Sequence, residues 1–206
     1  MNRRPLTIAL IASLTVLALV AVVQWLTLPP EPKPHVKKRD ELAMKTLVWF
    51  DKPRPAPKAA FLGPDGKPVH FSDFRGKALV VNLWATWCAP CIKELPSLDA
   101  LEAERGSDRF GVVAISIDRE GLSVIEPFFE INEVKALKAY ADPEARVKRE
   151  FGAPGLPTTY LIDRKGDVVA WFVGPTEWDS PDALKSVDKL TASASSLTPA
   201  TASSGP

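Results

Sequence analysis

The chain has 206 residues, of which 46% are hydrophobic, with a formal net charge of +1 and two cysteines. That length allows one domain with a sizeable core plus appendages. The near-neutral charge provides no electrostatic footprint for nucleic acid, so no nucleic-acid partner is expected, and two cysteines only two residues apart cannot build a disulfide scaffold.

An uncharged apolar segment, Leu6–Leu28, is the first predicted element. As a helix it would span about 35 Å, enough to cross a hydrocarbon core of about 30 Å. The alternative is a cleaved signal peptide, whose apolar stretch is usually shorter and ends in an A-x-A-like site. We therefore predict a transmembrane anchor at 6–28 behind a short cytoplasmic N-terminus at 1–5. Basic residues on both sides of the segment give conflicting signals about its orientation.

Two segments of biased composition flank the predicted domain. Residues 29–58 are rich in proline and predict a semi-rigid linker, within which Leu47–Phe50 is a candidate for a short docking strand. Residues 191–206 consist almost entirely of Ser, Thr, Ala and Pro. This tail cannot bury enough apolar surface to offset its ordering entropy, so we predict that it is disordered. The folded domain is therefore expected at 59–190.

Apolar runs alternate with helical patterns between these two segments. The patterns predict strands at 60–62, 69–71, 78–85, 111–117, 138–141, 158–162 and 168–173. They predict helices at 89–105, 122–133, 143–151 and 180–190. The strand at 78–85 is almost continuously apolar, as expected of a central strand covered on both faces. Alternating strands and helices that end in a hairpin and a helix indicate an α/β sheet with helices on both faces.

The two cysteines, Cys88 and Cys91, lie in the sequence C-A-P-C between the predicted central strand and the helix at 89–105. As a staple, so short a loop would stabilise the fold by only about 2 kcal/mol. A structural zinc site normally needs four ligands, and the two histidines of the chain have no metal-ligand spacing, so no metal site is predicted. At a helix start, unpaired N–H groups and the helix dipole stabilise a thiolate on Cys88, and Cys91 is close enough to resolve a mixed disulfide.

The residues around this pair resemble a known family. WATWCAPC, the preceding FSDFRGKALVVN and the later GLPTTYLID are similar to the TlpA/ResA/CcmG branch of membrane-anchored, thioredoxin-like disulfide reductases. GPTEWDSPDAL near the end resembles TlpA in particular. The likeness covers about residues 60–190. It implies a thioredoxin fold with an added N-terminal hairpin and a central helix–strand insertion, preceded by one transmembrane helix.

The resemblance also implies roles for individual residues. Cys88 matches the attacking thiol and Cys91 the resolving thiol, and their disulfide would be the only redox group, with no other cofactor. Where thioredoxin carries a buried aspartate, this chain has Asn82, which cannot exchange a proton at working pH. Glu94 matches an acidic position of the branch and is the candidate to replace that aspartate; the alternative is a solvated helix glutamate.

Four further residues match substrate-binding positions of the branch: Trp87, Pro90, Leu156 and Pro157. Trp87 would flank the disulfide, although simple core packing is the alternative for this residue. Pro157 falls where the branch has a cis-proline that faces the disulfide and leaves adjacent backbone free to pair with a substrate strand. A trans proline in a turn is the alternative, because cis bonds are only about 5–6% of X–Pro bonds in folded proteins.

At the level of the whole protein, the resemblance implies a single-pass inner-membrane protein with its domain in the periplasm, expected to be monomeric. It would receive electrons from a membrane thiol transporter. Its substrates would be protein disulfides, in apocytochromes c or in copper-site assembly proteins of respiratory oxidases. Two alternatives stay open: a disulfide oxidase or isomerase, and a copper carrier that binds through the two thiolates.

Overall fold

Eight strands form one mixed sheet in the part of the chain that the structure, a computed structural model, describes, which is residues 47–192. Within that range no helix is both long and apolar enough to cross a membrane. The predicted anchor at 6–28, the N-terminus at 1–5, most of the linker and most of the tail lie outside the described residues.

The strands follow one another with four helices between or after them. The strands are β1 (Val48–Pro55), β2 (Phe61–Leu62), β3 (Pro68–Val69), β4 (Ala78–Trp84), β5 (Phe110–Ser116), β6 (Tyr140–Ala141), β7 (Thr158–Ile162) and β8 (Asp167–Val173). The helices are α1 (Ala89–Arg105), α2 (Leu122–Ile131), α3 (Arg146–Phe151) and α4 (Pro181–Ala192), with a 3₁₀ turn at Phe71–Phe74. The strand order across the sheet is β1-β8-β7-β4-β5-β6-β2-β3.

The predicted α/β fold is confirmed. Strand β4 lies at the centre, parallel to β5 and antiparallel to β7, and all seven of its residues are buried. The hairpin β2–β3 is the predicted N-terminal addition, and α2 with β6 forms the predicted helix–strand insertion before the final hairpin β7–β8. This topology places the end of β4 and the start of α1 next to each other in the middle of the sheet.

The sheet begins earlier than the sequence predicts. Strand β1 pairs antiparallel with β8, from Val48 opposite Trp171 to Pro55 opposite Asp167. The predicted linker boundary at residue 58 is therefore wrong, because β1 already lies within the predicted linker. The short docking strand suggested at Leu47–Phe50 corresponds to the first half of β1. Prolines are tolerated in β1 because it is an edge strand, where an absent N–H removes no essential ladder bond.

The short helix α3 also starts later than predicted. The sequence suggests a helix at 143–151 with Pro143 in its first position, but the helix begins at Arg146. Ala145 has a φ of 52°, a left-handed conformation that interrupts the chain before the helix. The carboxylate of Asp142 then accepts the backbone N–H groups of Arg146 and Lys148, at 2.8 and 3.1 Å, and caps the helix from further upstream.

Successive residues of β4 point to opposite faces of the sheet, and each face has its own core. Val80 and Trp84 belong to the α1-side core, which is filled by residues of α1 and α4: Leu95, Leu98, Leu101, Ala183, Val187 and Leu190. Leu79, Val81 and Leu83 belong to the aromatic core on the other face, whose rings are Phe61, Phe71, Tyr140, Phe151 and Tyr160. The side chain of Asn82 points to the α1 side.

Candidate active site

Cys88 and Cys91 form a disulfide, with the sulfur atoms 2.04 Å apart and the Cα atoms 5.3 Å apart. Cys88 is the N-cap of α1, and Pro90 lies in the first turn, where its missing N–H costs no helical hydrogen bond. Cys88 is 6% exposed and Cys91 1% exposed. Cys88 is the more exposed of the two, although both residues are buried in this oxidised form.

The loop that delivers Cys88 is held by a buried carboxylate. Asp118, at the end of the neighbouring strand β5, accepts the backbone N–H and the hydroxyl of Thr86, both at 2.8 Å. Ser116 donates its hydroxyl to the same carboxylate at 2.5 Å. Because β4 and β5 are parallel, their carboxyl ends meet at one edge, which places Asp118 beside the loop. No local sequence pattern links Asp118 to the cysteines, so its role was not predicted from the sequence.

Trp87, directly before Cys88, is 68% exposed, so simple core packing is excluded for this residue. Trp87 lines a groove of about 690 Å³ together with residues of the loop after β5, the loop after β6 and helix α3: Ile117, Arg119, Glu120, Pro143, Glu144, Ala145 and Arg149. An exposed indole next to a reactive disulfide provides a large apolar contact surface for a protein partner.

The Leu156–Pro157 peptide bond is cis, as the resemblance implies. Leu156 packs against the α1-side core, to which both cysteines belong. The carbonyl of Pro157 accepts the N–H of Gly174 at 2.9 Å, which ties this turn to the end of β8. Because Thr158 pairs with Leu83 near the end of β4, Leu156 and Pro157 lie at the same end of the sheet as Trp87, Pro90 and the disulfide. Their role in substrate binding stays a prediction.

Glu94 is 2% exposed, which excludes the alternative of a solvated helix glutamate. Its Oε1 accepts a hydrogen bond from Asn82 Nδ2 at 2.9 Å and another from Trp178 Nε1 at 2.6 Å, while its Oε2 is buried and has no hydrogen-bond partner. Burial raises the pKa of Glu94 from its ordinary value of 4.5 to about 8, and the N–H groups of Trp178 and Thr176 oppose that rise. Glu94 therefore titrates close to neutral pH.

Asn82 takes part in this site as a hydrogen-bond donor. Its amide nitrogen bonds both Glu94 Oε1 and Thr159 Oγ1, each at 2.9 Å, and connects α1 to strands β4 and β7. Trp178 completes the set and was missed by sequence reasoning, since it lies 84 positions from Glu94. Its only signal was its place in the TlpA-like segment GPTEWDSPDAL.

Comparison with known proteins gives concordant results. Residues 52–189 match the Redoxin family. The thiol-disulfide oxidoreductase ResA of Bacillus thuringiensis subsp. konkukian is 30% identical over 119 residues, which is 58% of this chain and 68% of that relative. ResA of Geobacillus thermodenitrificans is 30% identical over 133 residues, which is 64% of this chain and 75% of that relative.

Solved structures show the same likeness. A thiol:disulfide interchange protein of the DsbE type from Chlorobium tepidum is 30% identical, with a TM-score of 0.56, over 70% of this chain and 98% of that protein. The exposed lipoprotein thioredoxin Etrx1 of Streptococcus pneumoniae is 25% identical, with a TM-score of 0.55, over 65% of this chain and 100% of that protein. The TlpA/ResA/CcmG resemblance that the motifs imply is thereby confirmed.

Proposed function

The chain belongs to the Redoxin family and is a thiol–disulfide oxidoreductase, and on that premise we propose that it reduces selected protein disulfides in the periplasm. The arrangement of the disulfide and a buried carboxyl on one helix supports this proposal. The Cys88–Cys91 pair starts helix α1, and the buried carboxyl of Glu94 follows one turn later.

The reaction proceeds through a mixed disulfide. The Cys88 thiolate, favoured by the helix start, attacks one sulfur of the substrate disulfide, and the other substrate sulfur leaves as a thiolate. Cys91 then attacks the Cys88 sulfur and releases the second substrate thiolate. The substrate gains two electrons and, from solvent or the protein, two protons, while Cys88 and Cys91 return to the disulfide seen here. An external dithiol must then reduce the pair again.

Glu94 serves the second step. Cys91 is a nucleophile only as a thiolate, so its proton must leave as the mixed disulfide is resolved. Residues three apart on a helix are neighbours, about 5–6 Å between Cβ atoms. Glu94 is thus a carboxyl one turn along the helix from Cys91, and a pKa of about 8 suits a proton acceptor at working pH. Asn82 cannot take this role, but it holds the acceptor in place.

The cellular setting follows from the resemblance and from redox chemistry. An oxidising compartment supplies no bulk reductant, so a reductase there needs a dedicated electron donor, for which we propose a membrane thiol transporter. Attachment through residues 6–28 to the inner membrane would keep the domain near that donor. We propose apocytochrome c or copper-site assembly proteins as substrates, a monomeric enzyme, and no cofactor besides the Cys88–Cys91 pair.

Trapping of mixed disulfides in cells tests this function. The Cys91→Ser variant should accumulate covalent adducts with a few periplasmic proteins, because the captured substrate can no longer be released. The matched Cys88→Ser variant should capture none. Identification of the adducts names the substrates, and adducts with unrelated abundant proteins would overturn substrate selectivity.

The reduction potential separates the proposed function from its alternatives. A value near those of thioredoxin-type reductants supports a reductase, and a value near about −120 mV, typical of the strong oxidant DsbA, would select an oxidase instead. Tight Cu(I) binding that is lost in both single-cysteine variants, without turnover of protein disulfides, would select the copper carrier.

The location has its own test. A reporter that is active only in the periplasm, fused after residue 190, should be active, and the protein should stay in the membrane fraction. A mature chain that starts near residue 28 and is found in the soluble fraction would contradict the proposed anchor.

A further inference from the structure

The segment between β8 and α4, residues 174–180, docks onto helix α1 beside the active site. Trp178 in this segment is fully buried. Its backbone N–H donates to Ser97 Oγ at 3.0 Å, and that hydroxyl donates to the backbone carbonyl of Glu94 at 2.8 Å. The indole Nε1–H reaches the carboxyl of Glu94 itself at 2.6 Å. One residue thus contacts both the helix turn, through its backbone N–H, and the carboxyl that the turn carries, through its indole.

The two oxygens of Glu94 are in different situations. Oε1 accepts the indole N–H of Trp178 and the amide N–H of Asn82, and both groups act only as donors at these atoms. An oxygen that already accepts two N–H groups in this way is poorly placed to carry a proton. Oε2 is buried and accepts no hydrogen bond of normal geometry, although the backbone N–H of Thr176 lies close enough to the carboxyl to lower its pKa. It is therefore the oxygen left to gain or lose the proton.

The surroundings of this carboxyl are otherwise neutral. Asn82 of β4 faces it, with Thr159 of β7 behind the amide, and the indole of Trp178 and the backbone N–H of Thr176 face it from the docked segment. None of these groups is charged at neutral pH. On its own helix, Lys93 directly precedes Glu94 in the sequence and Cys91 lies one turn before it. Hydrogen bonding, rather than an opposing charge, is thus what distinguishes the two carboxyl oxygens.

We propose that Trp178 is a positioning residue for disulfide exchange: its indole N–H fixes Oε1 of Glu94 and assigns to Oε2 the proton that Cys91 gives up. In this step Cys91 becomes a thiolate and the carboxylate becomes a carboxylic acid, so one proton moves and no electron does. The proposal rests on the proposed role of Glu94 as proton acceptor and adds the residue that orients it.

The first test is a titration of Glu94 in the oxidised protein, followed by the ¹³C shift of its labelled carboxyl and assigned by its loss in Glu94→Gln. In Trp178→Phe the midpoint should rise by about one to two pH units, because a hydrogen bond to the charged form is lost. Trp84→Phe is the matched control, since Trp84 is equally buried but its Nε1 has no partner. An unmoved midpoint in Trp178→Phe, or an equal shift in Trp84→Phe, would overturn the proposal.

The second test is the pH dependence of disulfide exchange. In Trp178→Phe the rate profile should move to higher pH by the same amount as the midpoint of Glu94. Should that variant not fold, replacement of Trp178 by the isosteric benzothienylalanine removes only the N–H and gives the same readout. If the midpoint moves and the rate profile does not, the proton role of Glu94 fails, and the proposal with it. If the Glu94 midpoint in Trp178→Phe stays at the wild-type value and exchange proceeds normally, the proposed function stands and the proposed role of Trp178 is wrong.

Discussion

The two faces of the sheet bury very different material. The aromatic core contains stacked and edge-on rings. The ring of Phe151 is stacked on that of Tyr160, with the ring centroids 4.0 Å apart, and is edge-on to the ring of Phe71, with the centroids 5.5 Å apart. The α1-side core holds the disulfide, and Glu94 and Asn82 are buried beside it. Within residues 47–192, the three buried side-chain polar atoms that have no hydrogen-bond partner are Trp84 Nε1, Glu94 Oε2 and Thr176 Oγ1.

This contrast separates stability from chemistry within one small domain. A well-packed ring cluster contributes to folding without a group that titrates near neutral pH, since burial raises the pKa of Tyr140 and raises that of Tyr160 to about 12. A buried carboxyl contributes little to folding when it is ionised, since desolvation disfavours its charge, but the same desolvation brings its pKa toward neutral pH. Substitutions on the two faces should therefore change different observables.

The largest stability effect is expected on the aromatic face. Phe151→Ala should lower the free energy of unfolding by about 3–5 kcal/mol, because it removes a 3% exposed ring from its stack with Tyr160. Phe151→Leu, which keeps much of the apolar volume, should cost less. Urea unfolding measures both. The pH profile of disulfide exchange by the folded protein should stay unchanged, and an altered profile would break the separation between the faces.

The pH dependence of stability should come next in size, and it belongs to the α1 side. Glu94 has a pKa of about 8 when folded and an ordinary value of 4.5 when unfolded, so the folded state holds a proton that the unfolded state has lost between these values. Its contribution is complete below pH 4.5, decreases as pH rises and is lost above about pH 8, a change on the order of a few kcal/mol.

Unfolding of the oxidised protein at several pH values between 5 and 9 measures this slope. Burial also raises the pKa of Asp142, which gives a contribution of the same sign. The comparison must therefore be made with Glu94→Gln, in which the part due to Glu94 disappears. A slope of equal size in wild type and Glu94→Gln would show that Glu94 is not the group responsible.

A smaller effect is expected where the active-site loop is held. Asp118→Ala leaves the half-buried Thr86 N–H without its partner, which should cost about 1–3 kcal/mol and slow the reaction of Cys88 with disulfides. Asp142→Ala is the matched control: it removes an equally buried carboxylate that bonds backbone N–H groups of α3 instead. Equal slowing of exchange in both variants would mean that Asp118 acts through general stability alone.

The smallest stability effect is expected at Trp87. Because its side chain is 68% exposed, Trp87→Ala should change the free energy of unfolding by no more than about 0.5 kcal/mol. The rate with protein disulfides should fall, while the rate with glutathione disulfide should not. Ile131→Ala, at an 80% exposed position of α2, should change neither rate. Equal loss with both kinds of substrate would argue against a docking role for Trp87.

Local patterns predicted the centre of the fold well. The apolar run before the cysteines and the periodic leucines after them located β4 and gave helix α1 its observed bounds, because both signals are strong and contiguous. Most of the edge strand β1 was predicted to be linker, since prolines and charged residues are typical of linkers and of edge strands alike. The start of α3 depends on the left-handed backbone conformation of Ala145, which no local sequence pattern predicts.

The residues of the active site likewise fall into those that the sequence predicted and those that it did not. The cysteines and the burial-shifted Glu94 follow from positions on one strand and one helix, together with the resemblance. Asp118 and Trp178 do not, because their contacts depend on the pairing of β4 with β5 and on the docking of residues 174–180. Such residues can be identified only from the hydrogen bonds of buried carboxyl groups in the folded structure.

The rate of reduction of a model disulfide by the reduced protein, measured from pH 5 to 10 in wild type and Glu94→Gln, tests the central claim most directly. That claim is that the buried carboxyl of the α1 side accepts the proton of Cys91. We predict that Glu94→Gln folds normally, reacts more slowly around neutral pH and recovers only at higher pH, where Cys91 ionises unaided. Superimposable profiles for the two proteins would contradict the account and leave Glu94 a purely structural residue.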